Sequence, residues 1–290
     1  MTISETIAVT GATGQLGRLV LADLLQLTPG VRVVGLVRNA TAAQDLADRG
    51  VELRVANYDD PASLGTALHG VDKLLLISSS EVGRRVPQHR NVIDAAKAAH
   101  VRLLAYTSIL HADVSPLALA AEHRETEALI RASGLPFVLL RNGWYTENYT
   151  GNIAAAVQHG AVLGSAQNGR ISSAARADYA AAAAAVLSSR ESQAGKIYEL
   201  AGDTSFTLSD YAAEIARESG KPVIYRDMPE PEYKAALQNV GLPEAFAGLI
   251  AESSAKSAND SLFNDGRQLS ILIGRPTTPM ARSVAAALAG

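Results

Sequence analysis

Ile7-Ala8-Val9-Thr10-Gly11-Ala12-Thr13-Gly14-Gln15-Leu16-Gly17 is the stretch on which the fold turns. A short apolar run passes into a Gly-x-x-Gly-x-x-Gly loop. Leu16, Val20, Leu24 and Leu27 then recur at helical spacing. A strand, a glycine loop and a helix in immediate succession form a phosphate-binding unit. Gly11 permits the tight turn, Gly14 lets the backbone approach a pyrophosphate, and Gly17 allows the helix to pack closely on the strand. The helix N-terminus adds oriented N–H groups and partial positive charge. Glycine spacing alone is a weak signal, and its position between a strand and a helix gives it weight. Gly11, Ala12, Thr13, Gly14, Gln15 and Leu16 are therefore candidate cofactor-binding residues.

Outward from this loop, two periods alternate. Apolar runs at residues 31–37, 51–55, 74–77, 103–106 and 137–140 read as strands. Between them, residues 43–49, 61–68, 86–99 and 118–132 read as helices. Short buried strands alternating with helices imply an α/β fold, a Rossmann doubly wound parallel sheet covered on both faces. After about residue 150 the alternation weakens. Helices are expected at 179–187, 209–219 and 230–240, with isolated strands at 197–200 and 223–225. The expected division is a dinucleotide-binding Rossmann domain over 1–150 and a smaller, mostly helical lobe over 151–290, parts of which return to the sheet. Residues 251–265, rich in Ser, Ala, Asn and Asp, read as a mobile loop.

The second strand ends in Val37-Arg38-Asn39. A site for NAD places Asp or Glu about 20 residues beyond the glycines, to hold the ribose 2′-OH. Here the position carries Arg38, whose guanidinium binds a 2′-phosphate through charge-assisted hydrogen bonds. NADP(H) is the cofactor this predicts. The chain has 290 residues, 48% hydrophobic, with a net charge of -3. That length suffices to bury roughly 75% of the surface of the unfolded chain. The charge gives no electrostatic footprint for nucleic acid and no basic patch for a membrane. With no cysteine, thiolate chemistry and Cys-ligated metals are excluded. The six histidines show no zinc-ligand spacing, so no metal is expected. No signal peptide is read at the N-terminus, and a cytoplasmic location is expected.

Several segments together resemble the NmrA-like branch of the atypical short-chain dehydrogenases. They are Thr10 to Gly17, Val37-Arg38-Asn39, Leu74 to Glu81, Tyr106-Thr107-Ser108 and Arg141-Asn142-Gly143-Trp144-Tyr145. The likeness continues through Pro87 to Val92, Arg176 to Ala180 and Tyr198 to Gly202, so it runs nearly the whole chain. Within that branch the chain is most similar to bacterial quinone reductases. The resemblance implies that Ser78, Ser79 and Ser80, after the fourth strand, pass along the cofactor, and that Thr107 and Ser108 follow the fifth. It implies that Asn142, Gly143, Trp144 and Tyr145, after the sixth, lie near the nicotinamide. Ser173 and Arg176 are implied to fold over the site.

Many short-chain dehydrogenases use a Tyr with a Lys four residues on to protonate a carbonyl. None of the 9 tyrosines here has Lys at that spacing, which disfavours alcohol–ketone interconversion. A quinone fits better, because hydride addition yields an aromatic phenolate that solvent can protonate. The protein then has mainly to align two rings and exclude water. The expected function is hydride transfer from NADPH to a quinone or similar electrophilic carbonyl or ene. Asn142 and Tyr145 are the candidate catalytic residues: Asn142 orients carboxamide or substrate, and Tyr145 supplies a hydrogen bond to the developing oxyanion. His111, after the fifth strand, is a further candidate to face substrate. The expected partner is a small quinone-like molecule. The alternative is a non-catalytic NADP(H)-binding redox sensor, which the missing Tyr–Lys pair fits equally.

Overall fold

The computed structural model describes residues 5–290. In chain order the elements are β1 (Thr6–Val9), α1 (Gln15–Leu27), β2 (Arg32–Val37), α2 (Gln44–Ala47), β3 (Glu52–Val55), α3 (Pro61–Ala67), β4 (Lys73–Leu76), α4 (Arg85–Ala98), β5 (Leu103–Ile109), α5 (Leu119–Ser133) and β6 (Phe137–Asn142). There follow α6 (Glu147–Thr150), α7 (Ile153–His159), β7 (Ala161–Gly164), α8 (Arg176–Ser188), β8 (Ile197–Leu200), α9 (Leu208–Ser219), β9 (Ile224–Asp227), α10 (Glu230–Asn239), α11 (Glu244–Ser257), α12 (Gln268–Ile273) and α13 (Met280–Ala289). Seven strands form one sheet in the order β3-β2-β1-β4-β5-β6-β8, while β7 and β9 pair in a separate parallel ribbon. All pairings among β1 to β6 are parallel. The sheet is wound in opposite directions from β1 and β4, and open α/β sheets bind ligands beyond the carboxyl ends of strands at such a reversal.

Every residue of β5 is buried, as expected of a strand covered on both faces. Val34, Leu36, Leu64, Leu68, Leu74, Leu76, Val92, Leu104 and Leu139 belong to one buried apolar cluster. Each such side chain stabilises the fold by about 1.5–3 kcal/mol relative to exposure. Asp60 starts α3 by accepting the Ala62 and Ser63 N–H groups, and Pro61 occupies the first helical turn, where no N–H is needed.

The chain divides into two compact units. The first comprises residues 5–112, Glu122–Asn142 and Ala177–Tyr198; the second comprises Asp113–Ala121, Gly143–Arg176 and Glu199–Gly290. Each unit draws on several stretches of chain. Among the described residues, no helix is long and apolar enough to cross a membrane.

Two expectations are corrected. Residues 251–265 are not a mobile loop. Through Ser257 they form the end of α11, with Ala251, Ser253 and Ser257 buried, and Asp260 then pairs with Arg170 at 2.6 Å. The small residues that suggested a loop allow close packing: a Cβ on Gly169 would lie 1.9 Å from the Ser257 carbonyl. Thr107, Ser108 and Asn142 do not follow their strands but belong to them, because β5 and β6 stay paired as far as Ile109 and Asn142. Their side chains are therefore held by the sheet rather than by a loop.

Candidate functional site

At the carboxyl end of β1 the glycine loop is tightly drawn. Gly11 takes a positive φ of 59°, a conformation that side chains disfavour. A Cβ on Gly17 would lie 2.3 Å from the Gly11 carbonyl oxygen, so only glycine lets α1 start there. Ala12 donates its N–H to Leu36, and Gly14 to Gly11 at 2.9 Å. The N–H groups of Gly11, Thr13, Gln15, Leu16 and Gly17 donate to no acceptor among the described residues. Thr13, Gly14 and Gln15 are exposed, and the first turn of α1 carries no acidic residue. This is a cluster of open donors at a helix N-terminus, suited to phosphate oxygens.

The turn after β4 is built in the opposite sense. Ile77 donates its N–H to Thr10 Oγ1 at 2.9 Å, Ser78 to Thr107 Oγ1 at 2.9 Å, and Ser79 to His89 Nε2 at 2.9 Å. Three consecutive donors are thus captured by side chains from three different elements. The Tyr58 hydroxyl lies 2.5 Å from Thr10 Oγ1 and 2.9 Å from the Ile77 carbonyl. Burial holds the Tyr58 phenol protonated, with its pKa raised. Arg85 Nε donates to the Ser79 carbonyl at 2.5 Å, and Val82 donates its N–H to that of Ser80. The Ser78 carbonyl and the Ser78 and Ser80 hydroxyls receive no hydrogen bond among the described residues.

Arg38, just past β2, is exposed and forms no hydrogen bond or ion pair among the described residues. Its neighbour Asn39 is committed, accepting the Ala42 N–H at 3.2 Å. Arg18 of α1 is committed too, donating to the Thr13 carbonyl at 3.1 Å and pairing with Asp45. Of these three polar side chains, only Arg38 remains to meet an anion. At the end of β6, Asn142 is buried, and its Oδ1 has no hydrogen-bond partner among the described residues. A buried unpartnered amide oxygen is unfavourable by about 1–3 kcal/mol unless something donates to it.

The remaining candidates lie in the second unit. There Tyr145 and Ala174 form a parallel bridge, with the Ala174 N–H donating to Trp144 and the Thr146 N–H to Ala174. This bridge gathers the rest. Ser173 Oγ and Thr146 Oγ1 are 2.8 Å apart, and the Arg176 guanidinium stacks over the Tyr145 ring at 4.7 Å. The Arg176 N–H, at the start of α8, donates to the Glu147 carboxylate at 2.9 and 3.0 Å, where an anion also suits the helix dipole. Gly143 donates its N–H to Leu200 at 2.7 Å.

Sequence reasoning missed the polar layer that α5 presents to the sheet. The Tyr106 hydroxyl, its pKa raised by burial, lies 2.8 Å from His123 Nδ1. His89 Nδ1 lies 2.9 Å from Thr126 Oγ1, which donates to the Glu122 carbonyl. Glu127 receives Arg141 Nε and Nη2 at 2.9 and 2.8 Å and the Ser108 hydroxyl at 2.7 Å. Ser108 is therefore spent on the buried ion pair. The available signal was polar residues at 123, 126 and 127, the i, i+3, i+4 positions of a helix face that should have been apolar. His111, also a candidate, sits past β5 in the left-handed conformation at φ 53°.

A cavity of about 780 Å³ opens among Glu5, Leu27, Lys73, Arg102 and Ser189. It lies at the amino ends of β1, β4 and β5, the edge away from the glycine loop, and its Lys73 is occupied by the Leu187 carbonyl at 2.8 Å and by Glu5. It plays no part in the site. Among the described residues no cluster of His, Asp or Glu is arranged to hold a metal.

A family model described as NAD(P)H-binding matches residues 11–190. The chain is 54% identical to Quinone oxidoreductase 2 of Escherichia coli over 96% of its own length and 97% of the relative's. It superposes with a TM-score of 0.95 on the crystal structure of an E. coli NADPH-dependent quinone oxidoreductase complexed with NADPH, at 54% identity, covering 97% of this chain and 99% of that one. The Citrobacter sp. triphenylmethane reductase complexed with NADP(H) gives a TM-score of 0.93 at 37% identity, covering 97% and 99%.

Proposed function

Because the chain belongs to the NAD(P)H-binding family, we propose that its open donors and Arg38 hold NADPH and that it is an NADPH-dependent quinone oxidoreductase. The observation that carries the cofactor is the pairing of open N–H groups after β1 with an uncommitted guanidinium after β2 and no carboxylate at that place. The orphaned Asn142 Oδ1 fits the same group, since an acceptor buried there calls for a donor such as a carboxamide NH₂. The relative named a quinone oxidoreductase, similar over nearly the whole of both chains, supports the substrate class.

When bound, NADPH supplies the hydride. The chain's own residues do the rest. Gly11, Thr13, Gln15 and Leu16 bind the phosphates through their open N–H groups, Ala12 and Gly14 hold the loop in shape through theirs, and Arg38 binds the 2′-phosphate. Ser78, Ser79 and Ser80 present their acceptors and hydroxyls. Asn142 orients an amide or a substrate oxygen. Gly143, Trp144, Tyr145, Ser173 and Arg176 are assigned to the nicotinamide and substrate side by the family resemblance. Within their unit, the stacked Arg176 fixes the plane of the Tyr145 ring, whose hydroxyl is the proposed hydrogen-bond donor to a developing oxyanion. No residue is required as a dedicated acid, because a hydroquinone anion takes its proton from water.

The test is absorbance at the NADPH band, with and without a simple benzoquinone or naphthoquinone, with NADH in parallel. Rapid quinone-dependent loss of NADPH, with NADH much slower, is expected. Tight NADPH binding with no turnover would instead favour the redox sensor. Full turnover in both Asn142→Ala and Tyr145→Phe would remove these two from the catalytic assignment.

A further inference from the structure

His89 lies on α4, away from the glycine loop, and is completely buried. Both ring nitrogens are engaged. Nε2 accepts the Ser79 N–H at 2.9 Å, so Nε2 carries no proton. Nδ1 must then carry it, and donates to Thr126 Oγ1 at 2.9 Å, whose own proton goes to the Glu122 carbonyl at 2.8 Å. The network thus selects one neutral tautomer. Burial, reinforced by Arg85, pushes the imidazole down to about 3, so this tautomer persists at neutral pH.

The consequence lies in the turn. With Ile77, Ser78 and Ser79 N–H groups withheld by Thr10, Thr107 and His89, the turn, whose Ser80 N–H meets no acceptor among the described residues, shows no main-chain donor at those three residues. It shows instead the Ser78 carbonyl and two serine hydroxyls. The Ser78 carbonyl can only accept and so disfavours a phosphate oxygen beside it, while the serine hydroxyls can donate or accept. Hydroxyl or amide groups, which can donate, are received by that carbonyl.

Building on the cofactor assignment above, we propose that His89 is a positioning residue for NADPH: as the Nδ1-protonated imidazole it captures the Ser79 N–H and so holds the Ser78–Ser79 backbone with the Ser78 carbonyl open as an acceptor for the hydroxyl-bearing part of the dinucleotide. It touches neither cofactor nor substrate. Its effect on binding passes through the orientation of Ser78 and Ser79.

Two substitutions separate this role from packing. Glutamine places an oxygen where Nε2 stands, and so can still accept the Ser79 N–H. Asparagine reaches only as far as Nδ1, and so keeps Thr126 while leaving Ser79 unpaired. Both remove the ring and its packing. The expected result, by NADPH fluorescence titration, is a roughly tenfold weaker Kd for His89→Asn and a Kd within about threefold of the parent for His89→Gln, from the effect of an unpaired buried donor. KM for NADPH should rise in His89→Asn while kcat changes less. Equal Kd values for both folded variants, whether both unchanged or both weakened alike, would overturn the proposal. The parent enzyme provides a check that needs no variant: imidazole ¹⁵N spectra at pH 7 should show His89 protonated at Nδ1 only, with and without NADPH. An Nε2–H tautomer or an imidazolium would overturn it as well. A parent that binds no NADPH would sink the cofactor assignment instead, which distinguishes the two failures.

Discussion

The loop after β1 and the turn after β4 leave neighbouring strands of one sheet, yet they have opposite polarity. After β1, five N–H groups donate to no acceptor among the described residues. After β4, three successive N–H groups are each taken by a side chain, and a carbonyl is left over. Position at the switch point alone therefore does not make a phosphate site. The difference comes from what surrounds each segment. No side chain, its own Thr13 and Gln15 included, accepts from the open N–H groups of the glycine loop among the described residues, and the loop runs into a helix whose first N–H groups are unpaired by construction. The turn lies within reach of Thr10, Thr107 and His89. Thr10 ties the two together, since it directly follows β1 and accepts from Ile77.

Acid should strike the two segments unequally, and with the largest effect. The folded pKa values of His89 and His123 are held near 3 by burial, below the unfolded value of about 6.5. A depressed histidine pKa means stability that is fully present above 6.5 and lost as pH falls toward 3. At pH 5 the loss is about 2 kcal/mol for each histidine. Urea denaturation at pH 7 and pH 5 should show it, with His89→Gln removing about half. An unchanged midpoint would show that neither histidine is held neutral. Next in size, Gly17→Ala drives a Cβ against the Gly11 carbonyl. It should destabilise the chain by ~3 kcal/mol and weaken NADPH binding by ~100-fold. A calorimetric titration showing normal affinity would mean the loop can open without harm.

Thr10→Val keeps shape and removes the oxygen that joins the two segments. Leaving the Ile77 N–H unpaired should lower stability by about 1–3 kcal/mol, read as a fall in Tm, and NADPH affinity should suffer less than in Gly17→Ala. The reverse ranking would mean that the turn, rather than the glycine loop, dominates cofactor binding. The smallest expected effect is that of Arg38→Ala, about tenfold weaker NADPH with NADH unchanged, the measure of one exposed charge-assisted contact. If that variant discriminates as well as its parent, another cation makes the choice.

Much of this was legible because it is local. The glycine loop, Arg38 and the alternating periods follow from backbone sterics, charge and burial, which act over a few residues, and the strands deviate from expectation mainly at their ends. Tyr58 and His89 were not legible as parts of the site, nor Thr107 as the partner of Ser78. Each pairs with a residue 10 to 48 positions away, and no period marks such a meeting. The polar face of α5 and the small-residue end of α11 were misjudged or passed over for a related reason, since the meaning of Glu127 or Ser257 depends on what is packed against it. The α/β class and a glycine loop between strand and helix, with Arg38 rather than a carboxylate after the second strand, could be read from the chain alone, because glycine spacing, strand–helix alternation and the sign of one charge carry that information without partners. Only the tertiary structure decided which N–H groups stay open and which are captured, which histidine tautomer is held, and that Asn142 keeps an unpartnered oxygen, because hydrogen-bond satisfaction is settled by groups that meet only when the chain is folded.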